Sequence, residues 1–395
     1  MDNSSCLGFS GDGAPDGPVR RHRAVPVGPR RRARERASSA PDLSVPPSSV
    51  GAMMTSTTTD GARAARAAGS RTVAGAAHRL DEMIARLAGG PGDPTHQRLA
   101  PRHWLRATGT GQGPALVELL GEGPDVRVRA WGPGGSWVLD QAPRLLGCHD
   151  DPSGFGALAA RSPVLAAAHA THRWLRIGAT DNLAEALAPA VIEQKVTGPE
   201  ALGGLHRIVV RHGRVPPLPA GPLGAPAARM RVPPSAREWC RVPSFEFTRA
   251  GVDARRAGAL RAAMSRCASL DRALTRADDG DGRSVLLQAV PGIGPWTAAR
   301  VLQRAWGDPD AWSVGDFHVP RLMAVALTGA RGGDEDAERA LAPYRPHRYR
   351  VELLLAPATA RADRRGARLG LPGHVPGIDP GARRSSRGRP SRGRW

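Results

Sequence analysis

Lysine is all but missing from this chain: among 56 lysine and arginine residues, Lys195 is the only lysine. Aromatic residues make up 4% of the 395 positions, and the four cysteines (Cys6, Cys148, Cys240 and Cys267) lie far apart with no Cys-x-x-Cys pair. That spacing excludes a disulfide framework and the common zinc patterns. No stretch approaches the ~18 uninterrupted apolar residues of a membrane span. The opening residues Met1–Ser10 lack the charged-then-apolar order of a secretory signal. The expectation is a soluble, cytoplasmic protein. Acidic residues are also scarce, 36 against 56 basic ones, for a formal charge of +20. Such a balance points to a polyanionic partner and says nothing about fold.

The charge is unevenly placed. Residues 1–77 carry a net +5 and residues 361–395 a net +8. Both segments are low in complexity, with an arginine cluster at Arg20–Arg36, a Ser/Pro-rich run at Ser38–Ser56 and an Arg/Ser/Gly alternation at Arg383–Arg394. Too little apolar surface is present there to offset chain entropy, so both ends are expected to be disordered. Residues 78–172 are expected to form a small α+β unit with an antiparallel sheet. Val126–Trp131 alternates apolar and polar residues as a half-buried strand does, and a helix is expected around Ala157–Ala170. From Asp181 the texture turns helical: Leu183, Leu187, Val191 and Ile192 form one stripe. A Pro-rich stretch at 215–234 precedes further helices near 255–264, 270–277 and 284–290. The second domain is therefore mainly α, spanning 173–360.

The most informative segment is Pro291-Gly292-Ile293-Gly294, followed by a helical period with apolar residues at 298, 301, 302 and 305. Pro295 suits a first helical turn, and two glycines permit unusual dihedrals and bare backbone. With Ile293 plugging the core, the glycine N–H groups at a helix N-terminus would face outward, an anion site fit for a DNA phosphate. On glycine spacing alone, an ordinary helix–helix turn is an equal alternative.

The wider string shifts that balance. Val290-Pro-Gly-Ile-Gly-Pro-Trp-Thr-Ala298, followed by Gly307-Asp-Pro-Asp-Ala-Trp-Ser-Val-Gly-Asp316, resembles the helix-hairpin-helix, loop and aspartate signature of base-excision DNA glycosylases. It is most similar to the 3-methyladenine DNA glycosylase II branch. Ala188–Gly198, with Gln194 and Lys195, resembles that family's Ile-Leu-x-Gln-x-Val-Ser helix. Val242–Phe245 echoes its Phe-Pro-Thr-Pro turn, and Tyr344–Tyr349 is similar to its Pro-Trp-Arg segment with His347 in place of the Trp. The resemblance covers roughly 181–355.

The resemblance implies a monofunctional glycosylase that flips an alkylated purine out of duplex DNA and hydrolyses its glycosidic bond, as a monomer without cofactor or metal. Asp316 takes the catalytic position, stabilising the oxocarbenium-like sugar and orienting water. By position alone Asp316 also suits a helix cap ahead of Phe317–Pro320. Trp296 matches the pocket tryptophan, whose face would hold a cationic base. Gly292, Gly294, Thr297, Gln194 and Lys195 are the expected DNA contacts. Three departures stand out: Arg300 replaces the Tyr one turn after Trp296, Lys195 replaces the apolar wedge, and no Trp follows Arg348. Phe245, Phe247 and Phe317 are candidate substitutes in the pocket. Trp296 occupies the position of the lyase lysine of related enzymes, so no lyase activity is expected. No Cys follows Cys267, so no iron–sulfur cluster is expected either. A non-catalytic DNA-binding relative with a degenerate pocket is the alternative reading. His169 and His172 share a helix spacing but lack a third ligand. Asp308 and Asp310 read as turn residues.

Overall fold

A computed structural model describes residues 65–359, with side chains to residue 356. The expectations for 1–64 and for the tail after 359 lie outside those residues. The described residues open on strand β1 (Ala67–Val73) and helix α1 (Leu80–Leu87), then run through β2 (His96–Ala100), β3 (His103–Thr110), β4 (Gly113–Glu122) and β5 (Asp125–Trp131). These strands form one antiparallel sheet in the order β1-β5-β4-β3-β2. β1 falls inside the segment read as an unfolded extension, so the folded unit starts about ten residues before the expected boundary at 78. Its side chains are mostly exposed because it is an edge strand, held by backbone pairing of Gly69–Val73 with Val126–Ala130. A pattern of buried side chains cannot reveal such a strand.

Both faces of the sheet are covered. Val117, Leu119, Val126 and Val128 point to one side, against α1 and helix α2 (Gly135–Leu145). The alternate residues Leu105, Ala107, Leu116 and Trp131 meet Ala227, Met230 and Val232 on the other. The Pro-rich stretch is thus no spacer. It carries the short helix α7 (Gly224–Ala228), numbered in chain order, and roofs the second face of the sheet.

The helix expected around Ala157–Ala170 is two helices, α3 (Phe155–Ala159) and α4 (Pro163–Thr171). Ser162 caps the second through Leu165 N–H, and Pro163 fills its first turn. These two leave the sheet and pack with the C-terminal helices, so the boundary at 172 does not divide the cores. Phe155 and Leu165 share a buried cluster with Trp312, Met323, Leu341 and Val351. His169 packs its ring on Phe155, with centroids 5.1 Å apart, and His172 Nδ1 bonds the Ala168 carbonyl.

The largest core is helical. α5 (Leu183–Ile192) runs through its middle, flanked by α6 (Gly198–His212), α8 (Ala236–Arg241), α9 (Ser244–Arg249), α10 (Ala254–Ser265) and α11 (Cys267–Arg276). α12 (Gly280–Gln288) and α13 (Pro295–Ala305) complete it. The stripe read on α5 is only part of its burial, since every residue from Ala186 to Ile192 is inside. The one acid of that helix, Glu185, faces the sheet, where it accepts from Arg106 (2.6 Å) and from the Thr108 hydroxyl. α14 (Val319–Thr328), α15 (Asp334–Leu341) and α16 (Arg348–Thr359) complete the described residues. α16 is tied down by the buried Arg350–Asp150 ion pair (2.5 Å).

Candidate active site

The hairpin between α12 and α13 is built as its residues require. Gly292 sits at φ 88°, and a Cβ there would come within 2.5 Å of the Ala259 Cβ on α10. Only glycine fits both demands. Ile293 is buried in the helical core, with its N–H on the Val290 carbonyl (3.0 Å). Gly294 is the N-cap of α13 and Pro295 its first residue. Gly292 is exposed and Gly294 half-exposed, so both backbones reach the surface at the positive end of a helix.

Two of the residues expected to touch DNA are hydrogen-bonded to each other. Thr297 is buried at 3% exposure, and its hydroxyl accepts from the Gln194 side-chain amide (2.9 Å). The same amide also donates to the Gly292 carbonyl (2.9 Å). Gln194 thereby fastens the end of α5 to the hairpin, and Thr297 has no surface to offer a phosphate. Lys195, next in the chain, is exposed and adopts φ 54°, at the reversal between α5 and α6.

Asp316 ends the loop that follows α13. One carboxylate oxygen accepts from the Trp296 indole N–H (3.0 Å), and the other from the backbone N–H groups of His318 (2.8 Å) and Val319 (3.1 Å). Asp316 therefore fills the helix-start role that its position suits. It caps the first turn of α14 while holding a half-buried carboxylate against the hairpin helix. The loop itself is anchored from three sides. Asp310, beyond a turn role, grips Arg348 at 3.0 and 2.7 Å, and the Trp312 indole donates to Glu338 (2.9 Å). Ser313 donates its N–H and its hydroxyl to Glu352 on α16 (2.8 Å each). Burial pushes the Glu352 carboxyl up to about 7; Asp316 adds to the rise, while the Ser313 bonds and Arg300 oppose it. Nothing local in the sequence marks Glu352, because its partner lies 39 residues away.

Trp296 has a cation of the protein near one face. The Arg300 guanidinium carbon lies 6.0 Å from its ring centroid, and Arg300 also donates to Gln303 (2.9 Å) and pairs with Glu193 (3.4 Å). Of the proposed substitutes, Phe247 is in the core, Phe245 is exposed on α9, and only Phe317 lies beside Asp316, exposed and capped by Arg321 (5.3 Å).

A cleft opens between α13, α16, α1 and residues 177–178, with neither Asp316 nor Trp296 in its lining. Arg86, Arg300, Gln303, Arg304 and Tyr349 line it. A second, larger cavity lies between the sheet and helices α5 and α6, with Asp93, His96, Arg106 and Glu185 on its walls. Asp93 pairs with His96 and Arg106 with Glu185, ties that hold local structure and the sheet–helix contact.

No protein-family model and no curated protein sequence match this chain. Solved structures do. A 3-methyladenine DNA glycosylase from Archaeoglobus fulgidus superposes at a TM-score of 0.60, covering 72% of this chain and 96% of its own, at 18% identity. The apo form of the Clostridium acetobutylicum 8-oxoguanine glycosylase/lyase superposes at 0.56, covering 74% and 98%, at 14% identity. The chain has the helix-hairpin-helix base-excision glycosylase fold. Within this glycosylase fold, both neighbours are spanned almost end to end, so the sheet and the helical cores are matched together and not as separate pieces.

Proposed function

We propose that this protein is a monofunctional DNA glycosylase acting on damaged purines in duplex DNA, with Asp316 as its catalytic carboxylate. The observation that carries the reading is the bonding of Asp316: its carboxylate accepts from three N–H donors, one of them the Trp296 indole on the helix that follows the hairpin. The hairpin backbone at Gly292 and Gly294 would hold a phosphate without reading sequence. The flipped nucleotide then brings its sugar to Asp316. As the C1′–N bond lengthens, the carboxylate stabilises the developing positive charge, and a water oxygen bonds to C1′ while its proton passes to Asp316. Fixed donors keep the carboxylate from reorienting during that step, which is what makes a preorganised charge effective.

Trp296 stands where a lyase would need an amine, and the chain's only lysine side chain is at Lys195. Hydrolysis without strand cleavage follows. The resemblance of 290–316 to the alkylation-repair branch supports an alkylated purine of the 3-methyladenine type as the excised base.

The test is Asp316→Asn assayed for free base released from damaged duplex DNA. A loss of about 10²-fold or more in rate is expected, with duplex binding retained. An unchanged rate would remove Asp316 from the mechanism, and tight duplex binding without base release from the wild type would favour a DNA-binding relative that does no chemistry. Borohydride reduction during turnover should trap no protein–DNA adduct.

A further inference from the structure

A second carboxylate, idle in the chemistry proposed for Asp316, is fastened to its loop. Glu352 on α16 is buried and accepts both the N–H and the hydroxyl of Ser313 (2.8 Å each). The Ser313 carbonyl in turn accepts the Asp316 N–H (3.2 Å), so one residue joins the two acids. Gln303 on α13 completes the group. Its amide donates to the Ser313 hydroxyl oxygen (3.1 Å) and to the Ala311 carbonyl (2.7 Å), and its own carbonyl accepts from Arg300 (2.9 Å). Arg300 lies near the Trp296 ring, and the Trp296 indole N–H donates to Asp316 (3.0 Å). The contacts therefore close on themselves, from Asp316 through Trp296, Arg300, Gln303 and Ser313 back to Asp316, with Glu352 attached at Ser313.

Counting hydrogens decides which form of Glu352 fits. Arg300 on one side and the Ala311 carbonyl on the other fix the Gln303 amide, so an N–H points at the Ser313 oxygen. The serine proton is then free for Glu352, and an ionised carboxylate accepts it together with the Ser313 N–H. A protonated acid would bring its own proton to the same hydroxyl and leave a buried proton without an acceptor. A glutamine would meet Ser313 as the protonated acid does and bury no charge. What the acid adds is therefore its charge, on the same side of the balance as Asp316.

We propose that Glu352 is a positioning residue for the chemistry at Asp316, and that it works as a carboxylate. Ionised, it holds Ser313 by charge-assisted bonds and so fixes the Asp316 backbone. Its charge also adds to the negative potential that stabilises a developing sugar cation. This rests on the glycosylase reading and adds a residue that acts through Ser313. The charged groups facing Glu352 are Arg300 from α13 and Asp316 from the loop, with the buried Tyr349 phenol three residues back on α16. Burial, helped by Asp316 and opposed by Ser313 and Arg300, sets its proton exchange at about 7. Base release should therefore quicken as pH rises through neutrality.

The experiment measures single-turnover base release by the full-length protein, between pH 5.5 and 8.5, from duplex DNA carrying methylated purines and 8-oxoguanine. The wild-type rate is expected to rise about fivefold or more, with its midpoint near 7. Glu352→Gln should stay at the low-pH rate throughout, with duplex binding retained and the melting curve verifying the fold. Ser313→Ala removes the hydroxyl that favours the ionised acid, so its midpoint should move to higher pH. His318 is exposed two residues from Asp316, and imidazoles titrate in the same range. The His318→Gln variant should keep the wild-type midpoint. A rise that persists in folded Glu352→Gln, or one that vanishes in His318→Gln, would overturn the proposal. So would a Glu352→Gln rate lowered by one factor at every pH, which is what a purely structural contact gives. Base release with a flat wild-type profile would overturn this inference alone. Release of no base would overturn the glycosylase reading, and this inference with it.

Discussion

Replacing Glu352 with Gln should make the protein more stable at alkaline pH and leave it nearly unchanged in mild acid. Glu352 is 7% exposed, and burial raises its carboxyl from 4.5 to about 7. Between those values the unfolded chain has released the proton and the folded protein still holds it. Folded stability therefore falls as pH rises through that window, by about 3 kcal/mol once pH exceeds 7. Gln imitates the protonated acid: its carbonyl accepts from the Ser313 N–H, and its amide donates to the Ser313 hydroxyl. The variant should thus match the wild type near pH 4.5 and exceed it by up to about 3 kcal/mol near pH 8. Other groups titrate in the same range. His206 and His347 have their imidazoles lowered chiefly by burial, which makes stability rise with pH, the opposite slope. Subtracting the wild-type from the variant curve removes those shared contributions. The assay is urea denaturation at pH 4.5, 6 and 8 with both proteins in parallel. A variant less stable than the wild type at pH 8 would refute the reasoning. It would mean that the charged carboxylate, bonded to Ser313 and attracted by Arg300, repays its burial.

Two further substitutions test the hairpin. Gly292→Ala forces a side chain onto φ 88° and into the Ala259 Cβ at 2.5 Å. A stability loss of about 1–3 kcal/mol is expected, read from the denaturation midpoint, and a shift under about 0.5 kcal/mol would contradict the packing described. Gln194→Ala removes the donor shared by the Gly292 carbonyl and the buried Thr297 hydroxyl. It should cost about 1–2 kcal/mol and weaken duplex binding, measured by fluorescence anisotropy, because the hairpin loses its fastening to α5. Unaltered binding and stability together would show that the bridge is dispensable.

The hairpin was legible in the sequence because its determinants are local. Two glycines, two prolines and a helical period lie within a dozen residues, and their chemistry leaves few backbone solutions. The same holds for β5, where alternation alone marks the strand. What escaped depends on residues far apart. β1 is held by backbone pairing to a partner some 60 residues away and buries almost none of its side chains. The Pro-rich stretch at 215–234 carries no periodic signal, and only its contacts with Leu105 and Trp131 reveal it as a roof on the sheet. Around Asp316 the local motif identified the aspartate, but not the Arg348–Asp310 and Glu352–Ser313 ties that fix its loop, each spanning nearly 40 residues. Thr297 shows the same dependence: a hydroxyl at a helix start reads as a surface donor, and only the neighbouring helix shows that Gln194 donates to it. Trp296 and Arg300 lie four apart on one helix, so their contact was visible in principle. The spacing marks them as neighbours, and only the folded structure shows the guanidinium near the ring face.

Lys195, exposed at the turn between α5 and α6, is the only side-chain primary amine in the sequence. A lysine-specific protease therefore has one target, the Lys195–Val196 bond, and an amine-selective acylating reagent has one side chain to modify. Both report on the surface next to the hairpin. Duplex DNA seated on Gly292 and Gly294 should slow cleavage and labelling together, giving a footprint of the bound complex that needs no engineered probe. The scarcity of lysine also sharpens any search for a covalent intermediate. An imine trapped on a side chain can have formed only at Lys195, and the Lys195→Arg variant would abolish it while preserving the positive charge.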